Sequence, residues 1–242
     1  MYDRSTTATP TTARPEGFDV GMVAVDLYKD IHKGIRAELF DLTAETGSVD
    51  PADRIGRAAV ADHVRRTVAL LVSHAHHEDT LIQPAIEEHL PNLAELIEAD
   101  HVALEERMDV LVEIADASVP LEGAAQRPHL HQLYLELASF TASYLRHQDV
   151  EERVVMPALE SKLGVEAVLG IHLAIVGSIP PDEMASSLAL MLPAMNIDDR
   201  CELLGGMQAG APPEVFAGVW NLATSVLAPA DAAALGRRLG LG

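Results

Sequence analysis

Cysteine, aromatic side chains and positive charge are all scarce in this chain of 242 residues. The single cysteine, Cys201, rules out an internal disulfide and suits a reducing compartment. Aromatics make up 4% of the residues, and no run of alternating β-branched residues appears, while Leu, Ala and Val abound. That balance argues against a sheet and for an all-α fold. Only 17 Lys and Arg stand against 37 Asp and Glu, a formal net charge of -20, so the long-range field repels phosphate backbones and anionic lipid surfaces. Nucleic acid and membrane are therefore not the expected partners. No stretch reaches the roughly 18 to 20 uninterrupted apolar residues of a membrane span. The opening MYDRSTTATPTTARPEG also lacks the apolar run of an export signal, and a cytoplasmic location is the expectation.

What the chain does have is apolar content, 48% of its residues, ample for a large core. Residues 1 to 17 read as a disordered Thr/Pro tail. Beyond it, Val23, Leu27, Ile31, Ile35 and Leu39 recur at four-residue spacing, which predicts a first helix over about 19–45. In TGSVDPAD, Asp50 can cap and Pro51 suits a first turn, so a second helix is expected to run to about 89. Pro91 and Asn92 open a third, to about 116, and ASVPLEGAAQRP separates it from a fourth over about 128–162. Short connections between four helices predict an up-down-up-down four-helix bundle over 18–164. Residues 165–242 read as a C-terminal helical extension of three or four shorter helices, broken at Pro193, at GAPP and at Pro229.

The second and fourth helices share a pattern. His74 stands four residues before Glu78 and ten before Pro84; His147 stands four before Glu151 and ten before Pro157. Four residues along a helix return to nearly the same face, so each imidazole and carboxylate can aim at one point. The preceding helices each contribute one histidine, His32 and His101, at matching heights when counted outward and back from the connections. One layer of the bundle would then hold four imidazoles and two carboxylates among Leu, Ile, Val and Ala. Burying two uncompensated carboxylates costs several kcal/mol each, and a pair of cations supplies the compensation. Two irons bridged by both glutamates and a shared oxo or hydroxo oxygen, with two histidines each, would keep an open position. Imidazole also suits zinc, copper and nickel, and zinc or manganese substitution stays open, with iron or mixed iron and manganese preferred.

Three more residues sit where they can touch such a centre: Tyr28 one turn before His32, Glu105 one turn after His101, and His172 beyond the fourth helix. His76 and His77 have the wrong angle or no repeat partner. His129 and His131 start the fourth helix, far from the level of His147, and His63 and His89 have no counterpart. The prolines at 84 and 157 are expected to kink their helices or to begin final turns.

At HKGIR, HAHHEDTLIQP, DHVALEE and RHQDVEERVVMP the chain resembles the hemerythrin-like, or HHE cation-binding, domains, over about residues 19 to 162. The resemblance implies a bundle holding a non-haem di-iron centre, with His32, His74, Glu78, His101, His147 and Glu151 as ligands. Oxygen-carrying members use HxxxH on the third helix and HxxxxD on the fourth. Here Glu105 replaces that second histidine and the fourth helix carries HxxxE. This order is similar to the bacterial iron-centre repair and nitric-oxide-response branch, where two glutamates bridge the irons. The resemblance therefore implies chemistry on nitric oxide, peroxide or O2, as an oxidoreductase, rather than reversible oxygen storage. The alternative is an iron- or oxygen-responsive sensor or iron-donating module without steady turnover. No protein partner is identified.

Overall fold

The computed structural model describes residues 23–241; the Thr/Pro tail expected over 1–17 lies outside them. Helices account for nearly all of the described chain, with no strand. The long members are α1 (Lys29–Ser48), α2 (Arg54–Leu81), α4 (Pro91–Ser118) and α5 (Gln126–Val150). The short α3 (Gln83–His89) follows α2, and a π-helical turn (Glu151–Val155) leads from α5 into α6 (Met156–Leu163). Contacts run α1 to α2, α2 to α4, α4 to α5 and α5 back to α1, which closes the expected four-helix bundle.

The first helix begins at Lys29, not near 19. Asp26 explains the shift, because its Oδ1 accepts from the backbone N–H of both Tyr28 and Lys29 at 3.0 Å, supplying partners for the free amides of a helix start. Val23 and Leu27 still pack against the core, but from an irregular segment tied down by Glu160, whose Oε2 accepts from the amides of Ala24 and Val25. The second helix likewise starts later. Asp53 is the cap, accepting from the Ile55 amide, whereas Asp50 and Pro51 make a preceding turn.

Pro84 and Pro157 each occupy the first turn of a short helix. A proline donates no N–H, and its ring presses on the carbonyl four residues back. Helix α2 answers by breaking at Ile82, while α5 widens into the π turn, where the Met156 amide reaches back five residues to Glu151.

Two apolar clusters fill the bundle. Ile35, Leu39, Val64, Leu71, Leu104, Leu133 and Phe140 belong to one; Tyr28, Ile82, Ile86, Ile97, Val155 and Leu159 belong to the other. Along every long helix the histidine and glutamate positions fall between the two, so a polar layer is sealed on both sides by hydrocarbon.

Five further helices follow: α7 (Val165–Ser178), α8 (Pro181–Ala194), α9 (Ile197–Gly210), α10 (Pro213–Val226) and α11 (Pro229–Leu239). Pro181, Pro213 and Pro229 all stand in first turns, where their missing N–H has no bond to lose. Pro193 does not break α8; it lies in the last turn, where Arg200 takes up the carbonyls of Leu192 and Pro193. The extra helix, α7, is apolar all round and leaves Val165, Leu169, Leu173 and Val176 exposed, so it lacks an amphipathic stripe. Helices α8 to α11 build a core of their own around Leu188, Leu192, Leu204, Phe216 and Leu235, and α8 lies along α1. The approach is close: a Cβ on Gly34 would stand 2.9 Å from Leu190 Cγ. Among the described residues, no single helix is long and apolar enough to cross a membrane.

Candidate metal centre

The structure brings His32, His74, Glu78, His101, His147 and Glu151 into one layer, all of them buried except the half-buried His74. They form two pairs of imidazoles. Nε2 of His32 lies 3.2 Å from Nε2 of His74, and Nε2 of His101 lies 3.1 Å from Nε2 of His147. The two carboxylates stand between the pairs, and each divides its oxygens. Glu78 turns Oε1 toward His74 and His32, at 3.1 and 3.7 Å, and Oε2 toward His101 at 3.5 Å. Glu151 turns Oε1 toward His147 at 3.2 Å and His101 at 4.0 Å, and Oε2 toward His32 at 3.5 Å.

None of these four carboxylate oxygens meets a hydrogen-bond donor, although all are buried. Buried anionic oxygens without partners are costly. Imidazole nitrogens about 3 Å apart match two ligands bound to one ion through bonds of roughly 2 Å. The donors therefore suit a cation beside each histidine pair, and they fall into two overlapping groups that could hold one: Glu78, His101, His147 and Glu151, and His32, His74 and Glu78.

The outward ring nitrogens of His32 and His101 are held by carboxylates, which can only accept. Nδ1 of His32 donates to Glu152 at 2.9 Å, and Arg36 donates to the same oxygen at 2.6 Å. Nδ1 of His101 donates to Asp79 at 2.8 Å. Asp100 stands 3.6 Å from Nδ1 of His147. With Nδ1 carrying the proton, the Nε2 lone pair is directed inward.

With only the protein's own charges to answer, the layer is strongly polarised. Burial pulls His32 down, but Glu152, Glu78 and Glu151 outweigh it and hold its pKa at about 9. His101 is likewise lowered by burial and raised further by Glu78 and Asp79, to about 9. Burial pushes Glu78 up, and His74, His101 and His32 pull it well below the usual carboxylate range. Tyr28 and Tyr144 are buried phenols held well above the usual value, first by burial and then by the two glutamates.

Of the three outlying residues singled out from the sequence, Tyr28 does reach the layer, its ring 5.2 Å from that of His32. Glu105 does not. The inward face of α4 runs through His101, Leu104, Met108 and Leu111, which leaves Glu105 exposed to solvent. His172 does not cover the centre either: α7 sends Val168 into the apolar cluster at that end, and His172 stays half-buried outside the layer. His63 sits between Glu38 and Glu45, His77 on the Ser73 carbonyl and His129 on the Ile114 carbonyl, none of them in the layer. The residues missed from sequence are Tyr144, whose ring lies 5.9 Å from His147, and the acids Asp79, Asp100 and Glu152. A signal for two of them existed, because an acidic residue directly follows both Glu78 and Glu151.

A helical bundle that buries four imidazoles and two carboxylates around one point has the donor chemistry of a cation-binding domain. A family model described as Hemerythrin HHE cation binding domain matches residues 23–159, and the chain belongs to that family. No curated protein and no solved structure matches the chain.

Proposed function

We propose that this is a non-haem di-iron protein acting on a small oxidant, nitric oxide, peroxide or O2, with His32 and His74 on one ion, His101 and His147 on the other, and Glu78 and Glu151 bridging. The observation that supports it is the division of both carboxylates, each with one oxygen toward either histidine pair and no donor on any of the four. Four nitrogens and four carboxylate oxygens give each ion two of each, a donor set that suits iron and leaves room for an exogenous ligand. When bound, the iron pair would supply redox chemistry. The chain itself orients each donor: Glu152 and Asp79 hold the outer nitrogens of His32 and His101, and the apolar clusters above and below, with Tyr28 and Tyr144, exclude bulk water. The charge of -20 and the single cysteine favour a cytoplasmic setting without nucleic-acid partners.

The test is anaerobic reconstitution with iron, metal analysis and an optical spectrum, for wild type, His74→Ala and His147→Ala, followed by exposure to the three small molecules. Two irons in the wild type, fewer in each variant, and turnover of one oxidant are expected. Protein with two irons that responds to none of the three sinks the oxidant reading.

A second reading, an iron-responsive sensor, is favoured by the grip of the C-terminal helices on α1, the helix that carries His32. Gly34 packs under Leu190, while Lys29 pairs with Glu202 at 3.2 Å and Lys33 with Asp199. Metal-coupled ordering of α1 would then reach α8 and α9. Iron-dependent protease sensitivity without turnover would select this reading.

A further inference from the structure

We infer that the two cation positions are inequivalent, and that the one at His101 and His147 fills before the one at His32 and His74. The inference rests on the two-cation reading above and concerns the acids outside the donor set.

The layer has approximate twofold symmetry. Glu78 is followed by Asp79, which holds His101 on the next helix; Glu151 is followed by Glu152, which holds His32. The symmetry then fails in two places. Asp100, directly before His101, stands beside His147, but its counterpart directly before His32 is Ile31, turned toward the apolar clusters. Glu152 is neutralised by Arg36, whereas neither Asp79 nor Asp100 has a Lys or Arg partner among the described residues. The His101 and His147 position thus has two uncompensated negative charges behind its imidazoles, whereas among the described residues the acid in contact with the outer nitrogen of His32, Glu152, is paired with Arg36.

Asp79 is hydrogen-bonded to the outer nitrogen of His101, which raises that imidazole's basicity and adds Coulomb attraction for an ion on the inner nitrogen, whereas Asp100, 3.6 Å from Nδ1 of His147, contributes its charge alone; removing a hydrogen-bonded partner typically costs about 10- to 100-fold in metal affinity. Asp79 and Asp100 are partly exposed, with side chains 47% and 41% accessible, which places the effect near the lower bound and makes it sensitive to salt. Asp79 is a positioning residue that acts through His101, and Asp100 acts on His147 by its charge.

The experiment is calorimetric titration of chelator-treated, full-length protein with cobalt(II), followed also by the cobalt optical bands. Two phases differing by about tenfold or more are expected in wild type at low salt. In Asp79→Asn/Asp100→Asn, which keeps acceptor oxygens but removes charge, the tight phase weakens by about tenfold and the weak phase changes little. Asp79→Glu/Asp100→Glu restores the tight phase. Glu152→Gln acts on the weak phase only, and His32→Ala retains the tight one. Two ions of equal affinity, or a double-Asn variant that loses only the weak phase, overturns the inequivalence while leaving the two-cation reading intact. Failure to bind a second cobalt overturns both.

Discussion

Asp79 follows Glu78 on α2, yet its carboxylate accepts its hydrogen bond from Nδ1 of His101 on α4, at 2.8 Å. Adjacent residues on one helix therefore serve the centre from opposite sides: Glu78 faces the inner nitrogens and Asp79 an outer one. Glu151 and Glu152 repeat the arrangement toward His32. The pattern ties each hairpin to the other through the ligands themselves.

Because Glu78 and Glu151 each face both histidine pairs, the proposed two-cation site predicts that replacing either disturbs both positions, whereas replacing one histidine chiefly disturbs one. Glu151→Ala is expected to retain less iron after gel filtration than His74→Ala, measured by elemental analysis. Equal retention by the two variants contradicts the bridging assignment.

Chelation should leave a protein whose stability falls as pH rises. His32 and His101 have folded pKa values of about 9, above the ordinary 6.5 regained on unfolding. Their contribution is full below about 6.5 and is lost as pH climbs through about 9. Glu78, held low, acts oppositely: its contribution is present above its ordinary 4.5 and disappears in acid. The thermal midpoint of chelated protein should therefore drop between pH 6.5 and 9. Metal affinity should rise over the same window, since ligation requires the neutral imidazole. A midpoint that climbs across it would count against this electrostatic account.

Arg57 is buried at the far end of the bundle, where its guanidinium donates to the carbonyls of Ser118, Val119 and Leu121 and to that of Pro51. It joins the start of α2 to the connection between α4 and α5. Arg57→Ala should cost about 3 kcal/mol or more, read from urea unfolding, because it removes the stem and orphans several acceptors. Arg57→Lys should recover little, since an ammonium cannot reproduce the fork.

Gly34 is where α8 comes closest to α1. Gly34→Val would drive two methyl groups into Leu190, and hydrogen exchange in α8 and α9 should rise while the bundle stays protected. Uniform exchange across both regions would mean that the extension and bundle unfold as one unit.

The helical hairpins and the His74/Glu78 and His147/Glu151 pairs were legible in the sequence because helical period is a local property: a residue four places on returns to the same face whatever surrounds it, while His32 and His101 rested on matching heights and on the family resemblance. Local chemistry also misled. The apolar spacing from Val23 to Leu39 runs straight through Asp26, and only the folded chain shows that this aspartate captures two amides and delays the helix to Lys29. Helix α7 escaped notice because it is apolar on every side, and periodicity needs a contrast between faces.

Glu105 marks the boundary most clearly. Its spacing from His101 copies the spacing of Glu78 from His74, and one-dimensional reading cannot separate them. Packing does: α4 is rotated so that Leu104 and Met108 fill the core, and Glu105 turns to water. Which residues carry metal-seeking chemistry was thus written into local spacing. Which imidazoles pair, how each carboxylate splits between them, and which outer nitrogens meet an acid depended on helix rotations and separations, and those are set by side chains far away along the chain.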